Sequence, residues 1–120
     1  MRRDMDLIRE ILLKVEGNNN PFGMEAVEIE GRTPQDVGYQ MKLLVEAGLV
    51  EAGDRTYCGA DAMYWHSARL TWEGHEFLDA ARDDTRWNKM KAMVKEKAGT
   101  VGFEVVKQVL VVLARQAMGL

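Results

Sequence analysis

The fold of this chain is decided by two stretches, VGYQMKLLVEAGLVEAG (37–53) and ARLTWEGHEFLDAA (68–81), with a polar, aromatic-rich interval between them. Gly48 supplies the left-handed residue that closes a helix, so a strand is predicted to begin at Leu49. A second strand is predicted to end just before Thr71, because the hydroxyl of Thr71 can cap the N–H groups of a following helix. The order helix, strand, hairpin, strand, helix follows from these boundaries.

The helix that precedes the hairpin has a sharp start. Thr33 is predicted as its N-cap and Pro34 as its first helical residue, a pairing that satisfies the unbonded N–H groups of a first turn. The helix is predicted over Pro34–Gly48. Its face away from the core, at spacings of three and four, presents Gln35, Tyr39, Lys42 and Glu46.

Two further elements are predicted upstream. Residues 26–30 alternate apolar and acidic side chains, which predicts a half-buried strand, Ala26–Glu30. An N-terminal helix is indicated by apolar residues at spacings of four and three, which form one stripe. The stripe consists of Met1, Met5, Ile8, Leu12 and Val15.

These elements favour an α+β, mainly α fold: a winged helix with a small antiparallel β-hairpin wing and a C-terminal helical extension. The winged-helix core is predicted over residues 1–84. The C-terminal helices, residues 85–120, pack on that core or form a dimer interface, in one domain overall. Three short strands are expected. The positions predicted to be buried are Ile8, Leu12, Ile29, Met41, Leu44, Leu49, Leu70, Phe77 and Leu78.

One part of the usual winged-helix plan has no counterpart in the sequence. A short positioning helix normally lies between the first strand and the recognition helix. Here the interval holds only Gly31 to Gln35, which is too short for such a helix. Either the positioning helix is vestigial, or Pro34–Gly48 serves both purposes.

The composition permits a real core and limits the function. The chain has 120 residues, is 47% hydrophobic and carries a formal net charge of -3. An acidic balance argues against a protein that depends on attraction to phosphates, although the distribution of charge matters more than its sum. The single cysteine, Cys58, excludes an intramolecular disulfide. With charged residues throughout the first helix, no signal peptide is predicted, and we expect a soluble cytoplasmic protein without membrane contact.

Four segments together resemble one family: RRDMDLIREILLKVE (2–16), YQMKLLVEAGLV (39–50), LTWEGHEFLDAARDDTRWNKMK (70–91) and FEVVKQVLVVLA (103–114). The combination is similar to the bacterial and prophage family catalogued as domain of unknown function 2513. This resemblance implies a small winged-helix protein of the kind common in mobile elements. It implies no catalytic residues.

Catalysis and metal binding find little support in the sequence. Cys58, Asp61, His66 and His75 are the plausible metal ligands, and their spacing matches no compact zinc pattern. The chain has neither a phosphate-binding glycine loop nor a nucleophile elbow. We therefore expect no enzyme activity, no metal site and no cofactor.

DNA binding is the function that the predicted fold favours, as in a transcriptional regulator of a bacterial or phage mobile element. The helix at residues 34–48 would enter a groove and the wing would contact the backbone. This helix has few cations, since it carries one Lys together with the acidic Asp36 and Glu46. We therefore expect weak, salt-dependent binding to duplex DNA. The candidate DNA-binding residues are Gln35, Tyr39, Gln40 and Lys42 on the helix, and Arg55 and Tyr57 on the wing.

Protein binding is the alternative, for example by a phage-encoded modulator or inhibitor of host or defence machinery that no longer binds DNA. The last helix, predicted over Thr100–Met118, is apolar on two adjoining faces and needs burial on both. Either it is central to this domain, or it forms a homodimer. The candidate interface residues are Phe103, Val105, Val106, Val109, Leu110, Val112 and Leu113.

Overall fold

The structure is a computed structural model that describes residues 1–96 and 103–119. In these residues it contains five helices and one two-stranded antiparallel sheet, which confirms the predicted α+β, mainly α class with a small hairpin. In chain order the elements are α1 (Met5–Glu16), α2 (Pro34–Glu46), β1 (Val50–Asp54), β2 (Trp65–Leu70), α3 (Trp72–Ala81), α4 (Asp84–Glu96) and α5 (Phe103–Ala117).

The chain divides into two compact units, Met1–Glu76 and Phe77–Leu120. The first unit holds α1, α2, both strands and the beginning of α3, and the second holds the remainder. The sequence predicted a boundary between residues 84 and 85, at the start of α4. The division between the two compact units lies within α3.

The capping contacts expected at the predicted helix boundaries are present in the structure. The Thr33 hydroxyl accepts a hydrogen bond from the N–H of Asp36 at 3.1 Å, and the Thr71 hydroxyl accepts one from Gly74 at 3.0 Å. Gly48, which follows the C-cap Ala47 of α2, has a φ of 76°, the left-handed conformation predicted for the residue that closes this helix. Local side-chain chemistry therefore determines where these helices begin and end.

The hairpin carries one irregularity. Glu51 is paired with Arg69, and Gly53 with His66, so β2 contains one residue more than β1 between these two pairs. Ser67 lies in this bulge with a φ of 55°. Such a bulge bends its strand and increases the local twist.

The prediction of a strand over Ala26–Glu30 is wrong. The sheet has two strands, and the upstream segment joins it through a single bridge between Met24 and Ala68. Exposed and half-buried residues alternate along the segment as expected for an extended chain. An alternating pattern predicts the backbone conformation, whereas a strand also needs a partner with which to pair.

The hydrophobic core is largely the predicted one. Ile29 is the exception, since it is half-buried on the unpaired segment. Met1, which was predicted to lie on the apolar stripe of α1, is exposed and precedes the helix. Leu7 and Ile11 complete the buried stripe. The predicted positions that are buried are Ile8, Leu12, Met41, Leu44, Leu49, Leu70, Phe77 and Leu78.

Within the second unit, α4 contacts α5. Trp87 and Met90 of α4 are buried, as are Val106 and Leu110 of α5. The residue Thr100, at which the last helix was predicted to begin, lies outside the described residues. Of the helices that the structure describes, none has the length and apolar character needed to cross a membrane.

Candidate nucleic-acid interface

The exposed face of α2 carries three of the predicted contact residues. Gln35 and Lys42 are exposed, and Tyr39 between them is half-buried. These positions follow one another at spacings of four and three, so they form one row along the helix. Lys42 also forms an ion pair with Glu46, at 3.9 Å, one turn further along.

The fourth α2 residue, Gln40, is not at the surface. Its exposed fraction is 1%, so the prediction that it reads base edges is wrong. Its side-chain amide donates a hydrogen bond to the carbonyl oxygen of Arg2 at 2.8 Å and accepts one from the N–H of Asp4 at 2.9 Å. The helical spacing from Val37 to Leu44 could have revealed this, because Gln40 lies on the same buried stripe.

Gln40 thereby positions the segment that precedes α1. Asp4 caps α1 by accepting a hydrogen bond from the N–H of Leu7 at 3.1 Å. It also accepts one from the guanidinium of Arg32 at 2.8 Å. Burial raises the pKa of Asp4, but the hydrogen bonds from Arg32 and Leu7 outweigh it and leave the pKa below its ordinary value. The hydrogen bonds from Gln40 and Arg32 hold the N-terminal segment against α2, so the exposed Arg2 lies beside that helix.

The start of β2 lies against α2 at Gly38. The indole N–H of Trp65 donates a hydrogen bond to the carbonyl oxygen of Gly38 at 3.1 Å. A Cβ atom at Gly38 would overlap the carbonyl oxygen of Met63, so only glycine permits this approach. The hairpin loop, residues 55–64, is therefore held next to the row of Gln35, Tyr39 and Lys42.

Contacts between its own side chains stabilise the hairpin loop. The rings of Tyr57 and Tyr64 stack with their centroids 6.0 Å apart and an interplanar angle of 6°. The Tyr64 hydroxyl donates a hydrogen bond to Asp61 at 2.9 Å, which raises the pKa of Tyr64. Tyr57 and Arg55 are both exposed, so the two loop residues predicted to touch DNA are accessible.

The electrostatics of this surface are mixed. The pKa of Asp54 is lowered chiefly by the N–H of Thr56, at 2.8 Å, and also by the positive charge of Lys42. The positive charge of Lys42 therefore acts on the hairpin as well as on Glu46. Residues 1–76 contain eight Lys and Arg against fourteen Asp and Glu, so any attraction to phosphate must be local.

The candidate dimer residues on α5 differ in how far they are exposed. Val106 and Leu110 are buried, whereas Val105 and Val112 are 45% and 51% exposed. Val109 and Leu113 are half-buried. The side chain of Phe103 lies outside the described residues. One apolar face of α5 thus belongs to the interior, and a neighbouring one is accessible.

The plausible metal ligands are not brought together. Among the described residues, no group of three or more His, Cys, Asp or Glu side chains is arranged to hold a metal ion. Cys58, Asp61, His66 and His75 are all exposed. His66 contacts the hydroxyl of Ser67 at 3.1 Å.

Comparison with known proteins places the chain in a family. Residues 2–100 match the family described as "Hypothetical protein (DUF2513)". An "Uncharacterized protein" of Haemophilus influenzae is 39% identical over 119 residues, which cover 98% of this chain and 99% of the relative. No solved structure matches the chain significantly. The chain therefore belongs to the DUF2513 family.

Proposed function

We propose that this protein is a winged-helix transcriptional regulator that acts in the cytoplasm, in which α2 enters the major groove of duplex DNA and the hairpin loop contacts the backbone. The observation that carries the proposal is the juxtaposition of the exposed row on α2 with the hairpin loop, through the contacts of Gly38 with Trp65 and Met63. A helix with an adjacent wing is a recurrent arrangement for reading a DNA groove.

Each exposed residue has a chemistry suited to its place. Gln35 can form a bidentate contact with adenine. Lys42 and Arg55 carry the charges that neutralise phosphates, and Tyr57 offers a hydroxyl on the loop. Arg2, which Gln40 holds beside α2, adds a further cation on the far side of the helix.

Binding is expected to be weak and steeply salt-dependent, because each protomer neutralises only a few phosphates. In an anisotropy titration with labelled duplex, Lys42→Ala and Arg55→Ala should each reduce the slope of log K against log salt by about 1. Lys89→Ala is the matched control, since Lys89 is an exposed lysine of the second unit. Absence of binding to any duplex at about 50 mM salt would contradict the proposal, because phosphate contacts hold best at low salt.

We further propose that α5 mediates homodimerisation through its accessible apolar face, which includes Val105 and Val112. Symmetric dimers are the commonest means of burying such a surface. Val112→Glu should shift the mass measured by light scattering from dimer to monomer while the helical circular dichroism is retained. Lys107→Glu, a charge change elsewhere on α5, is the control. A monomeric mass for the unmodified protein at micromolar concentrations would refute the dimer.

A second candidate function is a protein-interaction module that does not bind DNA. Two aromatic side chains of the first unit favour it, since Phe22 is 80% and Trp72 is 79% exposed. Exposed aromatic residues are typical anchors of protein interfaces. The excess of acidic residues in 1–76 also suits a protein partner better than DNA. The DNA titration above separates the two candidates.

A further inference from the structure

A cleft of about 680 Å³ lies in the first unit, between α2 and the chain segment that precedes it. Its floor is the inner side of α2, with Val37 and Met41. One wall is the segment 26–30, and the facing wall is formed by residues 63–65 at the start of β2. Its volume is within the range of ligand-binding sites, and its lining combines apolar residues with the charged side chains of Lys14, Glu28, Glu30, Arg32 and Arg55.

The walls are two chain segments that begin to pair and then separate. Met24 and Ala68 exchange both backbone hydrogen bonds, at 2.8 and 2.9 Å. If this antiparallel pairing continued past the bulge at Ser67, residues 26, 27 and 28 would lie opposite residues 65, 64 and 63. Instead these residues line the opposite sides of the cleft. The cleft is therefore an opening in a β-ladder.

Backbone groups along both walls lack partners. In the described part of the chain, no N–H of residues 25–30 donates a hydrogen bond, and of their carbonyls Ile29 alone accepts one, from Arg32 at 3.1 Å. On the other wall, the carbonyl oxygen of Tyr64 accepts a hydrogen bond from the N–H of Arg55, just after β1, at 2.9 Å. The alternation of an antiparallel ladder then directs the N–H and C=O of Trp65 away from β1. An unpaired edge of this kind is a template for another strand.

The side chains of the segment specify what such a strand would carry. Val27 and Ile29 are half-buried, while Glu28 and Glu30 are exposed and form no ion pair with any described residue. In a paired strand, side chains directly opposite lie about 5 Å apart, so unlike charges attract and like charges repel. Apolar residues would lie beside Val27 and Ile29, and basic ones beside Glu28 and Glu30.

The basic residues that line the cleft lie outside the segment 26–30. Arg32 is engaged by Asp4 and Glu10, at 2.8 and 3.6 Å. Arg55, which follows β1, and Lys14 of α1 also line the cleft, but neither belongs to the segment 26–30 with which an inserted chain would pair. The two glutamates are therefore the direct cross-strand neighbours of an inserted chain.

We propose that this cleft binds an extended peptide segment of a partner protein, which adds to the sheet between the two walls and alternates apolar with basic residues. Backbone hydrogen bonds would supply affinity, and the alternating side chains would supply specificity. The corresponding segment of a second copy is a poor occupant, because its own glutamates would face Glu28 and Glu30. This inference goes beyond DNA binding and does not depend on it.

The experiment uses the full-length protein and short, end-blocked fluorescent peptides. A peptide that alternates Val and Lys should bind in an anisotropy titration, and one that alternates Val and Glu should bind on the order of tenfold more weakly. In ¹H–¹⁵N NMR spectra, the Val–Lys peptide should shift the amide signals of residues 26–30 and 63–65. A Val–Lys peptide N-methylated at alternate residues should not bind, because its backbone cannot pair.

Charge reversal provides the matched test within the protein. The double variant Glu28→Lys with Glu30→Lys should exchange the preference, so that the Val–Glu peptide binds more tightly than the Val–Lys peptide. Glu25→Lys is the control, since Glu25 is an exposed neighbour that does not line the cleft. Equal binding of the N-methylated peptide would show that its backbone does not pair with the walls of the cleft, and would overturn the proposal. Unchanged preference in the double variant, or amide shifts elsewhere, would overturn it as well.

Discussion

Replacing Leu12 with alanine is expected to lower the free energy of unfolding by about 2–5 kcal/mol, the usual cost of removing a packed leucine from a core. Leu12 has an exposed fraction of 0%. It lies on α1, which contacts both α2 and β2. The alanine would leave a cavity between these elements, and urea unfolding followed by far-ultraviolet circular dichroism measures the loss.

The adjacent residue supplies the control. Leu13 is in the same helix and is 38% exposed, so Leu13→Ala removes the same atoms from a partly solvated position. Its effect should stay below about 1 kcal/mol, because there is little packing to lose and alanine favours helix. Equal losses from the two variants would contradict the burial of the α1 stripe.

Replacing Gln40 with leucine is expected to destabilise the protein by about 1–3 kcal/mol, because it leaves the N–H of Asp4 and the carbonyl of Arg2 without their partner. The substitution retains the approximate volume of the side chain, so the loss reports on the hydrogen bonds. It also frees the segment that holds Arg2 beside α2. Under the DNA-binding proposal, the affinity of this variant for duplex DNA should also be lower than that of the unmodified protein.

Gln35→Leu makes the same chemical change on the exposed face of the same helix. Its effect on stability should lie within about 0.5 kcal/mol, as for most surface substitutions, while its effect on DNA binding should be larger than on folding. Comparable destabilisation by both variants, in urea titrations, would show that Gln40 has no special part in positioning the N-terminal segment.

Local chemistry made much of the fold predictable. The caps at Thr33 and Thr71 and the left-handed Gly48 act within a few residues of chain, so their contacts follow from sequence spacing. The buried face of α2 follows from helical periodicity for the same reason. Gln40 was misjudged although its spacing placed it on that face, because a polar side chain is buried only when distant partners satisfy it.

What the sequence by itself determined is the set of helices, the hairpin and most of their buried faces, since these depend on contacts between near neighbours. The tertiary structure alone decided whether residues 26–30 become a strand, because pairing requires a second chain segment at the correct distance. It also decided that the hairpin lies against Gly38, and that the segment before α1 is tied to α2. These contacts join residues far apart in the chain, and no local pattern encodes them.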